Sequence, residues 1–418
     1  MTLRSPRTDS PVFKASVLSI ALMLSETGAV SPVLADLARQ FPDESQSTIQ
    51  GFVSMPAIAA LIATLVAGAL ANRVGKRRLV LVGILLIIIG GTSPLALIPT
   101  GSYPLVIAFR LLAGFGMGLL QPLSASLVAD FYQGRERSTM LGWQSSIVGA
   151  GNIVWGLVVS ALMLMGWMSA FLAYLLPLII LALVWRNVPE PQAPTDAPEP
   201  PAKDSSLTAS GLPRLPVGTW GAVALMFLMT ISFQALGIST PFLASERAIA
   251  SGSQVSLVMT VFGIASVLAG VVFGSTFRAL RQWTGTAALL ILAAGLGLGV
   301  VAQNLAVLFI MAVLVGLGFG TFMPFAINAI NARATADNSA AATALVFSGA
   351  ALAGFCAPYY FGLVDRFLAS TSAGTQFATA AVTTLATALA ATVYYQIDAR
   401  WAIRQSATAT EAAAPGAH

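Results

Sequence analysis

Apolar residues run along this chain in long blocks, each about the 20 residues that a helix needs to cross the hydrocarbon core of a bilayer. Twelve blocks can be read, at 14–36, 49–71, 79–98, 104–128, 138–162, 167–186, 217–241, 254–277, 284–303, 305–328, 340–361 and 373–397. After the sixth comes a stretch from Val188 to about Pro216 that is rich in proline and acid. It has too few large apolar residues to bury and reads as an extended linker. The expected organisation is an N-terminal tail at 1–13, a six-helix bundle at 14–186, a linker at 187–216, a second six-helix bundle at 217–397 and a tail at 398–418. The predicted class is an all-α membrane protein. The alanine-rich tail beyond Arg404 is expected to be disordered.

The placement of charge supports this count. If the amino terminus faces inward, the inner loops and tails hold 17 lysines and arginines. The outer loops hold only Arg39, Arg247 and Arg366, and Arg110 lies inside a block. Positive charge in short loops marks the cytoplasmic side, so both termini are predicted to be cytoplasmic in a multi-pass inner-membrane protein. The first block is full length and no clear small-residue cleavage site follows it, so no cleavable signal peptide is read.

Composition narrows the chemistry. The chain is 57% hydrophobic and 9% charged, whereas a soluble protein carries about a quarter charged residues. A soluble fold would expose far too much apolar surface. The net charge of +5 sits in loops, which fits membrane orientation and not nucleic acid. Cys356 is the only cysteine and His418 the only histidine. That rules out an intramolecular disulfide, a cysteine metal cluster and a histidine proton relay. Proton chemistry inside the membrane must then use carboxylates. Nothing resembles a phosphate-cradling loop, and no Ser/His/Asp arrangement can be built. No cofactor, metal or enzymatic activity is expected.

The two halves repeat each other. Gly114-x-Gly116-x-Gly118-x3-Pro122 recurs as Gly316-x-Gly318-x-Gly320-x3-Pro324, a shift of 202 residues (316 minus 114). Ser31-Pro32 matches Thr240-Pro241, and the basic loop after the second block matches Arg278-Ala-Leu-Arg281. Internal duplication is how many secondary transporters are built, with the solute site between the repeats near the midplane. The glycines let helices approach closely. Arg110 has no counterpart in the second copy.

Gly68-Ala-Leu-Ala-Asn72-Arg73-Val-Gly75-Lys76-Arg77-Arg78 resembles the signature of the loop between helices 2 and 3 of the major facilitator superfamily, Gly-x-Leu-Ala-Asp-Arg-x-Gly-Arg-Arg. Arg110-x3-Gly114 resembles the helix-4 signature of its proton-coupled members. The resemblance spans the whole chain and implies two bundles that rock about a central cavity, with helices 1 and 4 near each other. It also implies that Arg73 acts as a latch on an acid at the inner end of a neighbouring helix, where Asp130 is available. Gly68, Asn72, Arg73, Gly75, Arg77 and Asp130 form this candidate gating set. Asn72 stands where the family has aspartate, so a hydrogen bond replaces an ion pair there. In helix 5, Gly149-Ala-Gly151-Asn152-Ile-Val-Trp155-Gly156 lacks the proline of the Gly-Pro-x2-Gly-Gly run that antiporter members often carry.

Glu26 is the acid inside the blocks; the others fall in tails, loops or block ends. Burial raises a carboxyl's pKa and a nearby arginine lowers it, and a group balanced in this way can exchange protons as access alternates. Arg110 is the natural partner. At 1.5 Å per residue Glu26 lies about 15 Å, and Arg110 about 10 Å, below the outer helix ends. The other reading of both residues is structural, as helix-to-helix hydrogen bonds. Gln121, Gln144, Asn152, Trp155, Gln234, Asn328 and Phe347 lie at mid-membrane depth and are candidates to line a solute cavity, with interhelical packing as the alternative for each.

Together these features read as a monomeric, proton-coupled secondary transporter of a small organic solute, leaning to efflux by solute/proton antiport. A proton-coupled importer of a metabolite or organic acid is the alternative. A non-transporting assembly or sensing relative is the more distant one. The expected partners are the solute, protons and the lipid bilayer.

Overall fold

The computed structural model describes residues 10–25, 30–191, 217–331 and 339–413. Among them there is no strand. In a bilayer every backbone group must be satisfied within the protein, and a helix does this within its own segment. Fifteen α-helices result: α1 (Pro11–Ser19), α2 (Leu34–Gln40), α3 (Gln46–Ser54), α4 (Pro56–Val74), α5 (Lys76–Thr92), α6 (Pro94–Leu97), α7 (Tyr103–Phe131), α8 (Gly134–Met163), α9 (Pro177–Asn187), α10 (Val217–Glu246), α11 (Gly252–Leu280), α12 (Thr284–Val301), α13 (Leu305–Asn331), α14 (Ser339–Phe367) and α15 (Ala373–Ala413).

These helices make twelve spans in two six-helix bundles. Nine stretches of described helix are long and apolar enough to cross a membrane. One of them, Gly252–Val301, is a pair of spans. It turns at Arg281, where φ is +47°. The apolar Pro11–Ser25 and α14 complete the set. Proline breaks three spans without ending them. Pro56 separates α3 from α4, Pro94 starts α6, and Pro177 follows the 3-10 turn Trp167–Leu175. Each lacks a backbone N–H, which costs least in a first helical turn.

Two expectations change. The first block does not form one α-helix. It passes from α1 into a 3-10 turn at Ile20–Ser25 and is described again as a second 3-10 turn, Ser31–Val33, leading into α2. At the other end, α15 runs to Ala413, well past residue 397 and through the alanine-rich tail expected to be disordered. Alanine is the best helix former, so once a span has paid for nucleation it propagates readily through such a tail. The linker segment 192–216 lies outside the described residues.

The repeat is legible in packing. A Cβ on Gly114 would lie 2.6 Å from the Cα of Pro56 on α4, and one on Gly318 would lie 2.7 Å from the carbonyl oxygen of Ala288 on α12. A Cβ on Gly320 would lie 2.8 Å from the Cα of Ser266 on α11. So α7 beds into α4 and α5 as α13 beds into α11 and α12, backbone against backbone. The ends of the bundles define two faces, a terminal face where α1 begins and a distal face holding the turn between α2 and α3.

Candidate functional site

Arg110 lies in α7 and is 1% exposed. Its guanidinium carbon is 5.1 Å from the ring centroid of Phe52 on α3 and 5.1 Å from that of Tyr174 in the Trp167–Leu175 turn. A cation over an aromatic face in a desolvated site gains about 2 kcal/mol. Tyr174 in turn packs against Trp155 of α8, at 5.5 Å between centroids. Trp155 Nε1 donates to the Leu22 carbonyl at 2.9 Å, and Ser25 Oγ donates to the Val148 carbonyl at 2.6 Å. The 3-10 turn of the first span is thereby pinned to α8 on the residue before Glu26. Glu26 itself lies outside the described residues.

The remaining candidates separate by environment. Gln144 is buried, and its Nε2 donates to Ser124 Oγ on α7 at 2.5 Å. Gln144 and Trp155 therefore face the interior of the first bundle, because each finds a buried partner there. Gln121, Asn152 and Asn328 are exposed, and Gln234 is half-buried on α10. Phe347 is in α14, with its side chain outside the described set. Asn152 lines a cavity of about 260 Å³ between the halves, together with Gly149, Phe262, Ser266, Phe319 and Met323. Phe319 stacks on Phe233 at 4.4 Å between centroids. One wall of that cavity is thus an aromatic plate.

The signature loop is tied within the first bundle. Lys76 Nζ reaches both carboxylate oxygens of Asp130, at 2.8 and 2.7 Å. Lys76, and not Arg73, takes the acid at the end of α7; Asn72 and Arg73 are exposed. Lys76 starts a helix next to the last turn of α7, whereas Arg73 ends the helix before it. Gly75 has φ +98°, and a Cβ there would meet the Glu190 carboxylate at 2.8 Å. Glu190 Oε1 accepts from the Arg77 backbone N–H at 3.2 Å, and the Arg77 guanidinium donates to the Trp185 carbonyl at 2.5 Å. Gly68 has nothing within 4 Å of an added Cβ.

Among the described residues, hydrogen bonds between the halves cluster toward the distal face. Arg39 donates to Ser245 Oγ at 2.7 Å, Ser160 Oγ to the Ser253 carbonyl at 2.9 Å, and Ser256 Oγ to the Gly156 carbonyl at 2.8 Å. Gln50 Nε2 of α3 donates to Gln376 Oε1 of α15 at 2.9 Å. Gln376 Oε1 also accepts from Ser239 Oγ of α10 at 2.7 Å, while its Nε2 donates to Asp365 Oδ2 of α14 at 2.8 Å. Gln50 is fully buried, Gln376 is 2% exposed and Asp365 8%.

Pattern reading missed this network. Gln50 and Gln376 sit near the starts of their apolar blocks, and Asp365 lies one turn past the end of 340–361, where an acid reads as loop. Polar residues at block ends were the available signal. Phe52 and Tyr174 left none, since only packing brings their rings to Arg110.

The family description Major Facilitator Superfamily matches residues 16–250 and 222–415. The chain is 29% identical over 170 residues to the niacin transporter NiaP of Acinetobacter baylyi, covering 40% of this chain and 37% of that protein. It is 27% identical over 241 residues to the quinolone resistance protein NorB of Staphylococcus aureus, covering 57% and 48%. The chain thus spans less than half the length of these curated relatives. A crystal structure of the nucleoside transporter NupG superposes with a TM-score of 0.75 at 13% identity, covering 91% of this chain and 99% of that one. With its duplicated six-helix bundles, its glycine-bedded α7 and α13 and a family match across nearly its full length, this chain belongs to the Major Facilitator Superfamily.

Proposed function

We propose that this protein is a proton-coupled secondary transporter that carries a small organic solute by alternating access and exports it in exchange for protons. The observation that carries the reading is Arg110, a cation 1% exposed in the first bundle and set against the Phe52 and Tyr174 rings. An ionisable residue buried at membrane depth is costly and marks a pathway or a proton relay. Glu26, the acid in the first apolar block, is the partner assigned to it here. The aromatic-walled cavity beside Asn152 is the solute site of this reading, with Gln121, Gln234, Asn328 and Phe347 as further contacts. The loop from Gly68 to Arg77, with Asp130, is its gate on the terminal face.

Export draws its support from the relative named for quinolone resistance. Import of a small acid is the second reading, and the relative named for niacin favours it. Both readings place the protein in a cytoplasmic membrane with its termini inside, on the 17 to 3 distribution of basic residues.

The test is flux in proteoliposomes with an imposed pH gradient, using radiolabelled nicotinate and a fluorescent quinolone. Uphill movement of either solute that collapses with a protonophore is the expected result. Folded protein that moves no solute in a broad screen, in either direction, would overturn the reading and leave the non-transporting relative. The sign of the flux decides between export and import.

A further inference from the structure

The hydrogen bonds through Gln376 have a direction that is set at one end. An ionised carboxylate only accepts. Asp365 Oδ2 therefore takes the Gln376 Nε2 amide, at 2.8 Å, and the Gln376 Oε1 turns toward the other half. It accepts from Gln50 Nε2 of that half at 2.9 Å and from Ser239 Oγ of its own half at 2.7 Å. The same Gln50 amide donates to the Ile238 carbonyl at 3.3 Å. A bond between the two bundles thus takes its polarity from the charge on Asp365. If Asp365 gains a proton, its O–H is a donor in search of an acceptor. The Gln376 amide then gains by turning its oxygen toward Asp365, which sets its NH2 against the NH2 of Gln50 and breaks the Gln50–Gln376 bond, one of those between the halves.

We propose that Asp365 is a proton-binding site that controls the distal gate: ionised, it holds the halves together through Gln376 and Gln50, and protonated, it releases them. This assignment rests on the alternating-access reading. It adds a proton site in the second bundle, far in sequence from Glu26 and Arg110.

The surroundings suit such a site. Asp365 is 8% exposed, and its Oδ1 is buried without a hydrogen-bond partner. A carboxylate so placed is only partly satisfied while charged. Charged and titratable groups at this face are engaged elsewhere or point outward. Glu246 on α10 accepts from the Ala373 backbone N–H at 3.1 Å, and Arg247 donates to the Ala302 and Val300 carbonyls at 2.6 and 2.9 Å. Arg39 pairs with Asp36 at 3.0 Å. Tyr103 donates to the Thr48 carbonyl at 2.7 Å, and Tyr360 shares a hydrogen bond with Thr383. Asp43, Tyr359 and Arg366 are exposed, and Glu44 lies in the turn before α3. The helix α3 and the first two turns of α15 bring no titratable group. Among the described residues no cation is in salt-bridge contact with Asp365.

The test reads distance and needs no solute. Spin labels on Asp43→Cys and Thr371→Cys, both exposed, report separation across the distal face. They are placed in a Cys356→Ala background of the full chain, in lipid nanodiscs, and measured by double electron–electron resonance from neutral to acid pH. The parent is expected to shift to longer distances on acidification. Asp365→Asn, neutral and isosteric, is expected to show the long distance at every pH. Asp365→Glu should keep the response with a displaced midpoint. Gln376→Leu, which cuts the link but leaves the carboxylate, should also stay open. A pH-insensitive parent, or Asp365→Asn retaining the parent's profile, overturns the proposal. Failure of the flux assay with an intact distance response would remove solute transport alone, because the gate needs only that the halves separate at the distal face.

Discussion

Arg110 and Tyr174 meet with the guanidinium carbon of one 5.1 Å from the ring centroid of the other, although 64 residues separate them (174 minus 110). The Phe52 ring centroid lies at the same distance. A planar guanidinium stacks on rings in a way that a lysine ammonium does not. Arg110→Lys is expected to leave the protein folded and to lower gradient-driven flux about tenfold or more, a loss of about 1.4 kcal/mol or greater. Flux and melting temperature measured on the same preparation check this; wild-type flux in the lysine variant would remove Arg110 from the mechanism.

Glu26 is assigned the proton. Glu26→Gln keeps the shape and removes the charge. It is expected to abolish uphill flux driven by a pH gradient while solute exchange at equal pH persists, since exchange needs no net proton movement. Counterflow and gradient-driven uptake run side by side separate the two. Undiminished gradient-driven flux would end the assignment.

The glycines make opposite predictions. Gly114→Ala would bring its Cβ to 2.6 Å from the Pro56 Cα, and neither backbone can yield easily. Overpacking of this kind costs about 1–3 kcal/mol, so a lower melting temperature and slower transport are expected. Gly68→Ala meets open space within a helix and should be neutral or stabilise by about 0.5–1 kcal/mol. Thermal melts in the same detergent compare the two directly.

Lys76 and Asp130 are 29% and 26% exposed. A pair in that setting is worth about 0.2–1 kcal/mol. A double-mutant cycle of Lys76→Met and Asp130→Asn should return a coupling energy in that range, weaker at high salt. The same cycle with Arg73→Met in place of Lys76→Met should return no coupling, because Arg73 makes no such contact. A larger coupling through Arg73 would restore the latch on Asp130 inferred from the family signature.

The amino-acid sequence by itself determined the class, the number of spans and the duplication. These follow from blocks of apolar residues, the siting of positive charge and a glycine repeat, all of which are local and periodic. It also marked Arg110 as exceptional, because a charge in an apolar block stands out in one dimension. The tertiary structure decided what surrounds each polar group. Gln144 and Trp155 look like cavity residues in sequence, yet both are spent on partners inside the first bundle. Lys76 takes Asp130 from Arg73 because helix ends, and not motif positions, set the reach of a side chain. Asp365 reads as loop from its neighbours, and became a buried carboxylate only when α10, α14 and α15 closed around it. Hydrophobic spacing is written residue by residue, whereas burial and pairing arise where segments hundreds of residues apart converge, and only packing specifies that convergence.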